Sequence, residues 1–159
     1  MELTPDTGLR YLRLAFEQML AVAERLGDDL VVIRPLTAHT NAVASLVVHC
    51  CGVTEFWLGH VGCGRPSDRD RDAEFTASAT VAELRGLVAR ALLQAETDLR
   101  EIDLGTRSPY GDERRHLVDG DGSDAALVLH VVEELFQHLG HCEIAADALL
   151  GAERSPSAD

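Results

Sequence analysis

Four polar side chains between positions 130 and 141 are spaced so that they share one face of a helix. They are His130, Glu134, His138 and His141, and at about 100° per residue they span an arc of roughly 80°. Imidazole and carboxylate groups are ordinary ligands of zinc and similar divalent metals, and an i, i+4 pair on one helix can hold one ion. The spacing therefore predicts a metal site, to which a second helix would add a third ligand.

The spacing alone does not choose the ligand pair. His130 and His138 are separated by about 12 Å along a helix axis, which is too far for one ion. The pairs that remain are His130 with Glu134, Glu134 with His138, and His138 with His141. A polar network without metal is the alternative, whereas a purely solvated face is disfavoured because apolar residues alternate with these positions.

A further histidine, His49, is the natural third ligand. It lies in the middle of the most apolar stretch of the chain, where an imidazole without a partner would be costly to bury. A core histidine bonded to a backbone carbonyl is the alternative interpretation. His60 falls on the same helical face but about 16 Å further along the axis, so it cannot serve the same ion.

Helical periodicity predicts the elements that must position these residues. Four helices are expected over roughly 9–27, 40–62, 80–103 and 124–150, with Gly27 ending the first and little strand signal elsewhere. Thr80 and Glu83 form a capping box for the third helix, and Ser123 or Asp124 caps the fourth. Residues 64 to 78 lose the periodicity and predict an exposed crossover.

These elements predict an all-α fold, a four-helix bundle with a long crossover between helices two and three. We expect a single domain over residues 1–151 and a disordered tail over residues 152–159. Helical bundles commonly build metal sites between facing helices, which agrees with the histidine spacing.

Composition narrows the function further. The 159 residues carry a formal net charge of −13, and every basic residue is arginine, so binding to nucleic acid or to an anionic membrane is disfavoured. No apolar run reaches the roughly 18 residues that cross a bilayer, and the first residues lack signal-peptide order. We therefore expect a cytoplasmic protein, in which the four cysteines are reduced packing residues.

Two segments resemble a known family. NAVASLVVHCCGVTEFW, followed by a charged loop, and HVVEELFQHLGHCEI near the end are similar to the DinB-like metal-binding four-helix-bundle superfamily. Within it they resemble the mycothiol-dependent branch of actinobacteria, which includes the N-terminal domain of mycothiol-dependent maleylpyruvate isomerase. The resemblance runs from the first helix to about Gly151. It implies a metal triad of His49, Glu134 and His138, with zinc or another divalent metal as the ion.

The resemblance also implies the chemistry. Zinc with three protein ligands keeps a position open for a thiol, whose pKa it lowers, and in this branch the thiol is mycothiol. We expect a mycothiol S-transferase, or an isomerase, in which the thiolate attacks an electrophilic small molecule. The maleylpyruvate substrate is not carried over, because those isomerases have a second domain for which this chain has no length.

Several neighbouring residues are candidates for supporting roles. His130, His141 and Trp57 are expected to support the ligands or to line the pocket. On the crossover, Arg65, Arg69 and Arg71 are candidates for binding anionic groups of the thiol or the substrate. The alternative for these arginines is a solvated loop with internal Arg–Asp pairing.

Two other functions fit the same residues. One is a non-catalytic metal-binding bundle protein. The other is a hydrolase that uses metal-bound hydroxide, with Glu133 or His141 as proton carrier. Apolar bundles of this size often pair, so a homodimer is also among the expectations.

Overall fold

The computed structural model describes residues 3–35, 40–110 and 122–153. Within them the regular elements are all helical, and the expectation of an all-α bundle is confirmed. They are α1 (Pro5–Val31), α2 (Val43–Thr54), a π-helical segment (Glu55–Gly62), α3 (Arg71–Glu74), α4 (Val81–Glu101) and α5 (Asp124–Glu153). Of the expected tail over residues 152–159, the first two residues belong to α5, and residues 154–159 lie outside the described residues. None of the described helices combines the length and the hydropathy that a membrane span requires.

The core lies between the long helices. Helix α1 packs on α4 and α5, α2 packs on the same two helices, and α1 and α2 also contact each other. Each large side chain removed from water contributes about 1.5–3 kcal/mol, so this apolar face holds the bundle together. Fully buried members are Leu12, Phe16 and Met19 of α1, Val43 and Val47 of α2, Leu84 of α4, and Leu127 and Leu135 of α5.

The first helical stretch of α1 breaks at Gly27, as the sequence predicted, and one further helical turn follows the break. Gly27 has φ 68° and ψ 177°, a conformation that suits glycine and breaks the helix. The helix resumes and continues to Val31, because Val31 is fully buried and anchors this turn to the core. Beyond the kink, the Asp28 carboxylate accepts a hydrogen bond of 2.8 Å from the Val81 N–H at the start of α4.

The second helical run changes its geometry before it ends. Helix α2 gives way at Glu55 to the π-helical segment, which reaches Gly62. A π-helix has a wider turn than an α-helix. Side chains beyond Thr54 therefore leave the register that 100° per residue would give, and this places Phe56 and Trp57 against the site described below.

The crossover is clamped onto the bundle by an arginine–carboxylate pair. Arg65 donates to Asp98 of α4 through Nε (3.1 Å to Oδ1) and Nη2 (2.8 Å to Oδ2). Gln94 also donates to Asp98 Oδ1, so the buried carboxylate is well satisfied. Gly59 provides the space, since a Cβ there would lie 2.0 Å from Arg65 Nη2.

Capping positions agree with the sequence. The Thr80–Glu83 capping box opens α4, and Ser123 Oγ accepts from the Ala126 N–H in the first turn of α5. These caps fix where the two helices begin. They thereby set the register of α4 and α5 relative to the site.

Asp98→Ala should lower the free energy of unfolding by about 2–4 kcal/mol, because it leaves Arg65 and Gln94 without their buried acceptor. Urea denaturation followed by circular dichroism measures this loss. Glu96→Ala is the matched control on α4: its exposed pairs with Arg13 and Arg100 predict a loss below about 1 kcal/mol. Equal losses for the two variants would refute the clamp.

Candidate metal centre

Three side chains from two facing helices converge in the bundle. His49 of α2 and the Glu134–His138 pair of α5 each offer one ligand atom, and these atoms lie within 4.8 Å of one another. His138 Nε2 is 3.5 Å from Glu134 Oε2, and the His49 and His138 rings have centroids 4.8 Å apart. The structure thus brings together the three residues that the family resemblance implied.

The orientation of His49 is set by a residue that the sequence reasoning missed. Glu74 Oε2 lies 2.8 Å from His49 Nδ1, and both side chains are buried. Glu74 reaches this position because it ends the short helix α3, which Asp70 caps by accepting from the Ala73 N–H. The crossover therefore delivers a carboxylate into the bundle beside the candidate ligand.

Arg69 completes this arrangement from the same segment. It donates to Glu74 through Nε (2.6 Å to Oε1) and Nη2 (2.8 Å to Oε2). Burial by itself raises the pKa of Glu74, but the hydrogen bonds from Arg69 and His49 outweigh it and the pKa is lowered. Glu74 is consequently an ionised acceptor, to which His49 Nδ1 donates its N–H.

This arrangement fits a metal ligand. A ligating histidine usually donates its other ring N–H to a carboxylate, which fixes its tautomer and raises its basicity. Two imidazoles and one carboxylate are also a donor set that zinc accepts in sites with an open position. His49, Glu134 and His138 could therefore hold a divalent ion, with Glu74 orienting His49.

A glycine makes room for this carboxylate. A Cβ at position 52 would lie 2.0 Å from Glu74 Oε1 and 3.2 Å from Arg69 Nε. Gly52 follows His49 by three residues, which places the two positions on neighbouring parts of one helical face. A glycine in an apolar helix beside a candidate ligand was the available signal that another group approaches closely there.

Glu134 and His138 have partners of their own. The pKa of Glu134 is lowered, chiefly by the adjacent His138 and further by His130 and His49, against the opposing effect of burial. The other ring nitrogen of His138, Nδ1, lies 3.3 Å from His141 Nδ1. The exposed His141 thus contacts a candidate ligand from the solvent side.

His130 lies one helical turn before Glu134, whereas His138 lies one turn after it. Its ring packs edge-on against Trp57 with centroids 4.9 Å apart, and its Nδ1 is 3.9 Å from Glu133 Oε2. His130, Glu133 and Glu134 also form a group of potential ligands within 4.8 Å. Glu133 is exposed, however, and Glu134 is shared with the buried group, so the His49 side is the better enclosed site.

A cavity of about 350 Å³ opens onto this site. Its size suits a small molecule, and its wall combines aromatic and charged side chains. Its lining residues are His49, Val53, Phe56, Trp57, Arg69, Arg71, His130 and Glu134. Of the three crossover arginines, Arg69 and Arg71 face the cavity, while Arg65 is placed outside it by its pairing with Asp98.

The cysteines of the described chain are free thiols. Burial is the main cause that raises the pKa of Cys50, beside His49, well above its usual value. Burial likewise raises the pKa of Cys142 to about 12. These two thiols remain protonated and do not compete as nucleophiles near the cavity.

The fold and the site define a class of protein: an all-α bundle in which facing helices direct imidazole and carboxylate groups into one cavity. A family model described as mycothiol-S-transferase matches residues 8–151. The chain therefore belongs to the mycothiol-S-transferase family, and the family assignment made from the sequence is confirmed. A search of curated proteins gave no match to this chain.

Glu74→Ala should weaken zinc binding about 10- to 100-fold, because His49 loses the acceptor that fixes its tautomer. Competition with a chromophoric chelator measures the affinity. Asp72→Ala, an exposed acidic position on the same short helix, is the matched control and should leave the affinity unchanged. An unchanged affinity in the Glu74 variant would show that the carboxylate has no part in metal binding.

Gly52→Ala tests the same contact without removing any polar group. The added methyl occupies the position of the Glu74 carboxylate, so zinc affinity should fall in the same direction as for Glu74→Ala. Gly86→Ala in α4, where the nearest atom would be 3.5 Å away, should keep the affinity and gain up to about 1 kcal/mol of stability. Wild-type affinity in the Gly52 variant would contradict the proposed packing.

Proposed function

We propose that the protein is a zinc-dependent mycothiol S-transferase, or one using another divalent metal, that joins mycothiol to an electrophilic small molecule. The observation that supports this most directly is the convergence of His49, Glu134 and His138, two of which line a 350 Å³ cavity. Family membership supports mycothiol as the thiol. The cavity gives the second substrate a place beside it.

When bound by these three residues, the metal would lower the pKa of a thiol that reaches it, so that thiolate is available near neutral pH. The side chains of the chain do the remaining work. Glu74 keeps His49 in one tautomer, and Arg69 keeps Glu74 ionised. Phe56 and Trp57 provide an apolar wall that excludes water from part of the cavity.

The reaction is a substitution at carbon. In the substitution, the thiol sulfur forms a bond to the electrophilic carbon, and the leaving group departs with the electron pair of the bond that breaks. The thiol proton is released to solvent. The protein's contribution is to hold both reactants in one enclosed space. This proximity makes the step effectively unimolecular and so increases its rate.

The family supports a transferase over the alternatives. A hydrolase would need a proton carrier beside the substrate, and the residues considered for that role were Glu133 and His141. Neither is among the residues that line the cavity. We therefore propose no second activity.

The decisive experiment is conjugation of mycothiol to monobromobimane by the zinc-loaded protein, followed by mass spectrometry of the adduct. We expect His49→Ala with His138→Ala to reduce the rate to that of the uncatalysed reaction and to reduce zinc content from about one ion per chain to near zero. Metal content is measured separately by plasma mass spectrometry. His60→Ala is the control: its Nδ1 bonds to the Arg65 carbonyl, outside the triad, so it should retain metal.

Each other outcome points to a different function. Conjugation that persists at full rate after metal removal would contradict metal dependence. Stoichiometric zinc without turnover, tested with several electrophiles, would indicate a metal-binding protein. Breakdown of the electrophile at the same rate without thiol would indicate a hydrolase.

A further inference from the structure

The three arginines of the crossover have different partners. Arg65 is paired with the buried Asp98, and Arg69 with the buried Glu74. Arg71 is exposed, and no carboxylate among the described residues pairs with it. Its guanidinium lies 5.1 Å from the centroid of the Phe75 ring. Arg71 is therefore the cavity-lining arginine that has no carboxylate partner within the described part of the chain.

The position of Arg71 relates it directly to the candidate metal centre. Both groups contact the Phe75 ring, whose centroid is 4.4 Å from that of His49. Arg71 and the candidate ligand therefore share Phe75 as a neighbour, and Arg71 is the exposed one of the two. Trp57 and His130 form the wall on the other helices.

The charge distribution favours an anionic group beside Arg71. The whole chain has a formal charge of −13. An anionic group is therefore repelled from most of the surface and is attracted where Arg71 stands. A guanidinium matches a carboxylate geometrically, since it can donate two parallel hydrogen bonds.

We propose that the electrophile carries a carboxylate, and that Arg71 binds this group and determines the specificity of the site. The apolar part of the substrate packs against Phe56 and Trp57, and its reactive carbon points inward, away from the carboxylate. The inference rests on the proposed transferase function but is distinct from it, because conjugation of an uncharged electrophile requires no Arg71.

A matched pair of probes tests the proposal: 4-(bromomethyl)benzoate and the uncharged 4-(bromomethyl)benzamide. With mycothiol, each forms a sulfur–carbon bond at the benzylic position, bromide leaves with the electron pair of the carbon–bromine bond, and the thiol proton passes to the buffer. The rates without enzyme are subtracted. We expect the zinc-loaded wild type to favour the acid about tenfold in kcat/KM, the size of one charge-assisted contact at an exposed site.

Three variants show whether Arg71 causes this preference. Arg71→Gln should reduce the acid-to-amide ratio of kcat/KM to about one, because only the reaction of the acid is slowed. Arg71→Lys should keep part of the preference, since the positive charge remains but the bidentate geometry is lost. Arg85→Gln, an exposed arginine of α4 that pairs with Glu24 and does not line the cavity, should leave it unchanged. Circular dichroism confirms that the variants are folded.

The outcomes separate this proposal from the proposed function. Equal rates for the two probes in the wild type, or a preference that survives Arg71→Gln because the carboxylate binds elsewhere, would overturn the role of Arg71 while the transferase stands. If neither probe reacts above background, the transferase proposal fails with these electrophiles. Calorimetric binding of unreactive 4-methylbenzoate then decides: affinity lost in Arg71→Gln supports the site, and equal affinity refutes it.

Discussion

The buried contact between His49 and Glu74 is the interaction on which the rest of the site depends. An ionised carboxylate inside a bundle costs several kcal/mol unless it is paired and hydrogen-bonded. Arg69 provides that pairing with two hydrogen bonds, and Gly52 provides the space. These four residues are His49, Glu74, Arg69 and Gly52, and replacing any one of them would leave the others in an unfavourable arrangement. The crossover and α2 therefore depend on each other at this point.

The same solution occurs twice along one helical run. Gly52 lies beneath the Arg69–Glu74 pair, and seven residues later Gly59 lies beneath Arg65, which binds Asp98. In each case a missing side chain lets an arginine–carboxylate pair lie close to the helix. The crossover is thus anchored to the bundle at two points. Part of it also forms a wall of the cavity.

The sequence predicted the features that depend on local periodicity and chemistry. It predicted the long helices, the Thr80 capping box and the spacing of Glu134 and His138, because each is encoded within a few residues. It did not predict Glu74, since a carboxylate in a charged, aperiodic loop looks solvated until its three-dimensional partners are known. The helical turn after Gly27 and the π-helical segment were not predicted for a related reason: tertiary packing of Val31 and of the aromatic wall overrides the local pattern.

The crossover arginines show why composition could not assign their roles. Arg65, Arg69 and Arg71 lie within seven residues of one another, each in a stretch rich in aspartate, so the sequence treats them alike. What separates them is burial of the partner: Asp98 and Glu74 are held in the interior and bind the first two. Buried carboxylates must be compensated, whereas exposed ones need not be. Arg65 and Arg69 are therefore held by buried carboxylates, and Arg71 is left facing the cavity. The positive charge of Arg71 beside the cavity therefore arises from the same packing that orients His49.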